Sequence, residues 1–211
     1  MAGVEKVRCR RTVIDTFTLD QLEAVLKTCG KSFTGVRDRA MIVLLFDCGL
    51  RVSELCGLTL DDICWNEQTL AVVGKGDKER IVPFGSAARQ ALVQYLGRRE
   101  DLATKALFVT CYGDPIGRFR GREIVADRCK AAGITGVRCS PHTLRHTFAV
   151  TYLRAGGDVF SLQKMLGHSD LTMTRRYCEL SQTDVVEKHR LYSPADRLRA
   201  EAGTAGRRRL K

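Results

Sequence analysis

The chain has 211 residues, of which 44% are hydrophobic and 28% charged, so it can bury one substantial core and is not a low-complexity sequence. Its formal net charge of +11 favours a polyanionic partner, either nucleic acid or an anionic membrane surface. No apolar run approaches the roughly 18–20 residues of a membrane span, and the N-terminus lacks the apolar segment of an export signal. We therefore expect a cytoplasmic protein.

The first part of the chain predicts an arm and three helices. Residues 1–17 read as an extended basic arm. Thr18 and Gln21 have the spacing of a capping box, which predicts a helix that begins directly after Thr18. An almost wholly apolar stretch, 37–47, predicts a buried helix, and 51–58 predicts a short third helix.

The pattern then changes to that of a small antiparallel sheet. Three β-type runs cover 63–65, 69–73 and 80–83, and a tight hairpin over 74–77 separates the last two. A further strand and turn are predicted over 106–117. The remaining helices are predicted over 86–95 (capped by Ser86), 120–132, 141–154 (capped by Ser140), 159–166 (capped by Asp158), 170–179 and 182–192. The predicted fold is mainly α with a small antiparallel β-sheet, an α+β class.

Nine cysteines are scattered through these elements, and none forms a C-x-x-C pair. A disulfide framework or a zinc site needs paired spacing. We therefore expect reduced thiols that pack mostly as small hydrophobic side chains, and no metal site.

The start of the helix in S-P-H-T-L-R-H-T-F-A, residues 140–149, favours an anion site. The N–H groups at a helix start are unpaired and its dipole end is positive. His142 and Arg145 add donors on one face of that helix. An arginine repels cations, so a phosphate fits better than a metal ion. The alternative is a surface helix with ordinary polar residues.

Other polar residues lie at helix ends, at a hairpin tip or in an apolar neighbourhood, where a functional role would explain them. Arg51 follows a helix break in an apolar neighbourhood, and Glu54 can serve as its partner. Lys75 lies at the tip of the hairpin, where a mobile cation could enter a site. His168 comes just after a helix end, and Tyr177 follows on the next helix.

In order, G-L-R-x-S-E-L, G-K-G-x-K-E-R, P-H-x-L-R-H-x-F, L-G-H and a tyrosine resemble the catalytic domain of the tyrosine recombinases, or phage integrase family. The resemblance runs from about Thr18 to Leu191. The interval between Arg51 and Lys75 is similar to that of Xer-type recombinases and transposon integrases. The resemblance implies the tyrosine recombinase catalytic-domain fold.

The resemblance also implies a site-specific recombinase or integrase that cuts and rejoins double-stranded DNA through a 3′-phosphotyrosyl intermediate, without metal, ATP or another cofactor. It assigns roles to seven residues: Tyr177 as nucleophile, Arg51 and Arg145 as clamps on the non-bridging oxygens, His168 as a hydrogen-bond donor to the same phosphate, Lys75 as general acid for the leaving 5′-oxygen, His142 as general base or proton shuttle, and Glu54 as support for Arg51. Two guanidiniums suit this chemistry because they stay charged and donate in pairs to phosphate oxygens.

For some neighbouring residues the sequence predicts structural or alternative roles. His146 is not at a matched position and is predicted to be structural. Tyr152 and Tyr192 are predicted to be packing residues rather than second nucleophiles. Lys78 is an alternative to Lys75 at the hairpin tip, although the spacing favours Lys75.

The domain organisation follows from the same resemblance: an arm over 1–17, the catalytic domain over 18–192 and a basic tail over 193–211. Members of the family usually carry an N-terminal DNA-binding domain, which we expect to be absent here, either because the chain is a fragment or because it is naturally short. Residues 182–192 could pack in cis or dock on a neighbouring protomer. Docking in trans would imply a tetramer on DNA.

Two other functions remain open at this point. One is a type IB-like nicking-closing enzyme, which cleaves and religates DNA without exchange. The other is a non-catalytic DNA-binding regulator, because residues 158–177 have a helix–turn–helix pattern with Gly167 in the turn.

Overall fold

The computed structural model describes residues 15–74, 76, 78–99, 102–168, 174, 177 and 193. Its helices and strands within these ranges are α1 (Leu19–Lys27), α2 (Phe33–Cys48), α3 (Val52–Gly57), a 3₁₀ turn (Leu60–Asp62), β1 (Ile63–Cys64), β2 (Thr69–Val73), β3 (Glu79–Pro83), α4 (Ser86–Leu96), α5 (Arg118–Ala131), α6 (Pro141–Arg154) and α7 (Val159–Leu166). The three strands form one antiparallel sheet. The predicted mainly α class with a small antiparallel sheet is confirmed.

Helix α2 runs through the main core and contacts α3, α4, α5 and α6. Leu44 and Leu45, near its C-terminal end, are fully buried. The helix begins at Phe33, four residues before the predicted start, because Ser32 caps it by accepting a hydrogen bond from the N–H of Gly35 at 3.2 Å. The Phe-Thr-Gly run has weak helix propensity, and the capping hydrogen bond stabilises the helix start despite it.

Helix α2 ends where three helices meet. Gly49 adopts a left-handed conformation with φ of 61°, which favours glycine at a helix C-cap. A β-carbon at this position would collide with the side chains of Phe148 on α6 and Leu166 on α7. Gly49 therefore lets α6 and α7 approach the end of α2, next to Arg51.

Replacing Gly49 with alanine is expected to lower the free energy of unfolding by about 2–4 kcal/mol, because it adds left-handed strain to overpacking against Phe148 and Leu166. Gly57→Ala is the matched control, since nothing lies within 4 Å of a β-carbon there and the position is helical. Alanine at Gly57 should be neutral or stabilising by up to about 1 kcal/mol. Urea unfolding of both variants measures the difference, and equal stabilities would contradict the prediction.

The sheet has the strand order β1-β2-β3. Leu70 pairs with Val82 across β2 and β3, and both side chains are fully buried. Strand β2 contacts α3, whereas β3 contacts α7, so the sheet lies beside the elements that carry Arg51 and His168. The N–H of Gly74 donates to the carbonyl of Lys78 at 2.9 Å and closes the predicted hairpin.

The predicted caps of two helices are confirmed. Ser140 accepts a hydrogen bond from the N–H of Thr143 at 3.2 Å, ahead of Pro141 in the first helical position, and Asp158 caps α7. The predicted cap at Ser86 is wrong, because Gly85 is the N-cap of α4. The N–H of Gly85 donates to Asp47 at 2.7 Å, so a tertiary contact sets this helix start.

Other boundaries differ from the sequence reading. Of the strand and turn predicted over 106–117, the turn is present, but the strand is replaced by two isolated bridges, Thr59 with Ala106 and Val109 with Pro115. The segment pairs with one outside residue and then folds back on itself. Of the helix predicted over 170–179, Thr174 and Tyr177 are helical and the rest lies outside the described residues, as does the helix predicted over 182–192.

In the described ranges, no helix is both long and apolar enough to span a bilayer.

A second apolar cluster lies between α6 and α7. Its buried members are Phe148, Ala149, Val150, Leu153, Leu162, Leu166 and Tyr177. Tyr177, the predicted nucleophile, therefore packs against hydrophobic side chains, and only 2% of its surface is exposed.

Candidate active site

A cleft of about 720 Å³ opens where the starts of α3 and α6 face α5. Its arginine, glutamate and histidine lining residues are Arg51, Arg122, Glu123, Arg138, His142 and Arg145. The start of α6 adds the positive end of its helix dipole to this surface. The described residues contain no cluster of three or more His, Cys, Asp or Glu side chains that could hold a metal ion. The arrangement suits an anion such as a phosphate.

Arg145 is a buried cation held by two helix ends. Its Nη1 donates to the carbonyl of Gly49 at 2.6 Å, and its Nη2 donates to the carbonyl of Leu166 at 2.7 Å. These carbonyls lie at the C-terminal ends of α2 and α7, where the helix dipoles are negative. Burial, with a smaller contribution from Arg51, lowers the pKa of Arg145 to about 10, so it remains charged at neutral pH.

Arg51 stands on the other side of the cleft, at the N-cap of α3, and is fastened by Glu54. The Arg51 Nη1 donates to Glu54 Oε1 at 2.7 Å, and the Arg51 backbone N–H donates to Oε2 at 2.8 Å. The Arg51 side chain is 40% exposed, whereas that of Glu54 is 3% exposed. Glu54 therefore holds the backbone N–H and one guanidinium nitrogen of Arg51, and the remaining guanidinium donors face the cleft.

The same carboxylate binds a third arginine that sequence reasoning missed. Arg80 on β3 donates through Nη1 and Nη2 to the two oxygens of Glu54, both at 2.9 Å, and through Nε to the carbonyl of Met165 at 2.8 Å. Burial raises the pKa of Glu54, but the hydrogen bonds from Arg80 and Arg51 outweigh it and lower the pKa overall. Arg80 thus connects the hairpin strand, the Arg51 support and the end of α7.

Replacing Arg80 with alanine is expected to lower the free energy of unfolding by about 3 kcal/mol, because it leaves the buried Glu54 carboxylate with half of its partners. Arg120→Ala is the control, since Arg120 and its partner Glu123 have side chains that are 52% and 61% exposed. An exposed pair of this kind contributes about 0–1 kcal/mol. Denaturant unfolding distinguishes the two, and an Arg80 variant as stable as the Arg120 variant would show that the network contributes little.

His168 lies against Arg145 rather than free in the cleft. Its Nε2 is 3.1 Å from Arg145 Nη2, and its Nδ1 is 3.2 Å from Thr174 Oγ1. Because a guanidinium can only donate, Nε2 is the acceptor and Nδ1 carries the proton. Burial, with Arg145 and Arg51 as smaller causes, lowers the pKa of His168 to about 4, which keeps the ring neutral. In this arrangement His168 orients Arg145, and it would reach a phosphate only by exchanging that bond.

The hydroxyl of Tyr177 contacts a histidine that the sequence reading took as structural. Tyr177 Oη lies 2.6 Å from Nδ1 of His146, and the two ring centroids are 5.5 Å apart. The Tyr177 ring also stacks on that of His168, with centroids 6.4 Å apart and planes 14° from parallel. Burial raises the pKa of Tyr177, although Arg145 lowers it in part, so the resting hydroxyl is protonated.

His142 stands at the mouth of the cleft, one helical turn before His146. The two ring centroids are 4.2 Å apart, in an edge-to-face arrangement. Burial lowers the pKa of His142, and Arg145, Arg138 and Arg51 lower it further. The two histidines therefore form a neutral pair that extends from the cleft to the Tyr177 hydroxyl.

The structure thus brings Arg51, Glu54, His142, Arg145, His168 and Tyr177 into one region, while Lys75 lies outside the described residues. Sequence signals existed for the two missed residues. Arg80 falls on the same face of β3 as buried Val82, so it needed a partner. His146 follows His142 at i+4, which places both on one helix face.

Comparison with known proteins agrees with this arrangement. The phage integrase family matches residues 15–183. The chain is 44% identical over 155 residues to tyrosine recombinase XerC of Corynebacterium glutamicum, covering 72% of this chain and 49% of that protein. It spans 49% to 64% of the length of the curated Xer recombinases compared with it.

Solved structures show the same likeness in three dimensions. The crystal structure of XerA recombinase has a TM-score of 0.72 at 32% identity, covering 85% of this chain and 65% of that chain. The Tn1549 transposon integrase in complex with circular intermediate DNA has a TM-score of 0.66 at 25% identity, covering 77% of this chain and 61% of that chain. With the family match extending over the sheet, the arginine cleft and Tyr177, the chain belongs to the phage integrase family and has the fold of a tyrosine recombinase catalytic domain.

Proposed function

We propose that this chain is the catalytic domain of a site-specific DNA recombinase, which cuts and rejoins strands through a 3′-phosphotyrosyl intermediate. One observation carries the proposal: Arg51 and Arg145 line one cleft, and the helix that bears Arg145 also bears His146, the hydrogen-bond partner of the Tyr177 hydroxyl. The XerC likeness and the DNA-bound transposon integrase support DNA as the substrate.

In this proposal Arg51 and Arg145 bind the non-bridging oxygens of the scissile phosphate. Negative charge grows on these oxygens as the nucleophile attacks, and donors fixed in advance stabilise it without reorganising. Both guanidiniums are already oriented by protein acceptors, Glu54 for Arg51 and two carbonyls for Arg145. The site therefore has its charge in place before DNA arrives.

The remaining roles follow the chemistry of a phosphodiester. Tyr177 attacks phosphorus, and Lys75 protonates the leaving 5′-oxygen. His142 faces the cleft as a proton shuttle, and His168 holds Arg145 and exchanges onto the phosphate. A phosphotyrosyl ester conserves the energy of the broken bond, so rejoining needs neither ATP nor a metal ion in this proposal.

The test is a covalent trap. The protein is incubated in EDTA, without ATP, with a pool of duplexes nicked near candidate cleavage sites, so that the cleaved end diffuses away. A protein–DNA adduct on a denaturing gel supports the proposal, and strand exchange in a second assay with two duplexes supports recombination. An adduct without exchange would indicate a nicking-closing enzyme. Retarded DNA on a native gel with no adduct would indicate a regulator.

We also propose self-association on DNA. Exchange between two duplexes needs four strand cleavages, which a tetramer supplies with one Tyr177 from each protomer. Light scattering of the protein with a cleavable duplex should give the mass of four chains plus two duplexes. A single chain per duplex under conditions of strand exchange would overturn this part of the proposal.

A further inference from the structure

The hydrogen bond between His146 and Tyr177 is not explained by the roles above. Those roles place the proton shuttle at His142, which faces the cleft, yet the atom in contact with the tyrosine hydroxyl is His146 Nδ1, at 2.6 Å. A buried hydroxyl needs a hydrogen-bond partner, and for Tyr177, which is 2% exposed, the described partner is a protein side chain. The nucleophile therefore depends on its protein partner for both orientation and proton removal.

We propose that His146 is a catalytic residue, whose Nδ1 takes the proton from Tyr177 Oη when that oxygen attacks the phosphate. This inference rests on the proposed DNA-cleaving function. The distance of 2.6 Å is short for a hydrogen bond between oxygen and nitrogen, and places the two atoms in reach for direct transfer. His142 is next in line, with its ring centroid 4.2 Å from that of His146.

The step balances without another reactant. The Tyr177 Oη–phosphorus bond forms as the bond from phosphorus to the 5′-oxygen breaks. The phenol proton moves to His146 Nδ1, and the 5′-oxygen takes a proton from Lys75. In rejoining, the 5′-hydroxyl returns its proton to Lys75 as it attacks, and His146 returns its proton to Tyr177 as the tyrosine leaves. Each group ends in its starting state.

The charges around His146 explain why the transfer is tied to bound DNA. In the free protein, burial lowers the pKa of His146 to about 4, with smaller contributions from His142 and Arg145, so the ring is neutral and Nδ1 can accept. The same shift makes a protonated His146 unfavourable while the cleft is empty. A phosphate beside Arg145 adds the opposite charge and favours the imidazolium. Tyr177 is thereby kept neutral until a substrate occupies the cleft.

The first test needs no DNA. The proposal requires the His146 tautomer with the proton on Nε2 and a lone pair on Nδ1. Nitrogen-15 NMR of the full chain distinguishes the two tautomers, and the His146→Asn variant assigns the signals by their loss. Finding Nδ1 protonated, and hence donating to Tyr177, would overturn the proposal whether or not the protein cleaves DNA.

The second test separates proton transfer from positioning. Asparagine places its Oδ1 near the position of histidine Nδ1, so His146→Asn keeps an acceptor for Tyr177 but cannot take its proton. His146→Ala removes both. We expect the rate of adduct formation to fall by about 10²–10⁴-fold in both variants, as for loss of a general base. An asparagine variant at the wild-type rate, with or without loss in the alanine variant, would contradict proton transfer.

A modified substrate locates the defect at the nucleophile. A 5′-bridging sulfur leaves as a thiolate and needs no proton, because a thiol has a pKa of about 8.5. It should restore adduct formation in Lys75→Ala but not in His146→Asn. Equal rescue of both would place His146 on the leaving-group side and overturn the proposal. Absence of any adduct from the wild-type chain would instead mean that the proposed function fails.

Discussion

Tyr177→Phe is expected to abolish the covalent DNA adduct while leaving DNA binding unchanged. Phenylalanine keeps the ring in its cluster with Phe148 and Leu166, but it removes the only oxygen that can bond to phosphorus at this position. The residual rate should fall below detection, since a phenylalanine side chain has no nucleophilic atom. The denaturing-gel adduct assay measures the loss, and a native gel measures binding.

Tyr152→Phe is the matched control for this prediction. Tyr152 belongs to the same α6 cluster and packs against Phe148, with ring centroids 5.8 Å apart. Its variant should form the adduct at the wild-type rate. An adduct that survives in Tyr177→Phe and disappears in Tyr152→Phe would contradict the prediction, because it would identify Tyr152 as the nucleophile. Tyr177→Phe also leaves His146 Nδ1 without its partner, which should cost about 1–3 kcal/mol of stability.

Arg145→Lys is expected to slow adduct formation by about 10²–10³-fold, even though it keeps the positive charge. The guanidinium donates at the same time to Gly49, Leu166 and His168, and still faces the cleft. An ammonium has three donors and no planar fork, so it cannot hold those acceptors and also bind a phosphate in a fixed orientation. Single-turnover kinetics at saturating protein isolate this loss from weaker binding.

Arg154→Lys, in the exposed last turn of the same helix, is the control for Arg145→Lys. It should leave the rate unchanged, because an exposed arginine there has no fixed acceptors among the described contacts. The folding of both variants is checked by circular dichroism and urea unfolding. A folded Arg145→Lys protein with the wild-type rate would show that charge alone, rather than the oriented guanidinium, drives the reaction.

Local patterns were sufficient for most of the fold. The capping box at Thr18, the N-cap at Ser140 and the hairpin around Gly74 depend on neighbours in sequence, and all three are confirmed. The N-cap of α4 was predicted one residue late, at Ser86 instead of Gly85, because the Gly85–Asp47 contact joins positions far apart in the chain. The strand part of the strand and turn predicted over 106–117 was wrong for the same reason, because β-pairing needs a partner and apolar alternation does not identify it.

The sequence by itself determined the types and order of the proposed site residues, because the motifs around Arg51, Arg145, His168 and Tyr177 are each short and local. Only the tertiary structure decided which of these side chains contact one another. Arg80 reaches Glu54 from another element, and His146 reaches Tyr177 across 31 positions of sequence. Such contacts arise when helices and strands pack, and burial then sets the pKa values of His146, His168 and Tyr177. Motif spacing does not predict that burial, and for this reason sequence analysis took His146 as structural although it contacts the hydroxyl of the proposed nucleophile.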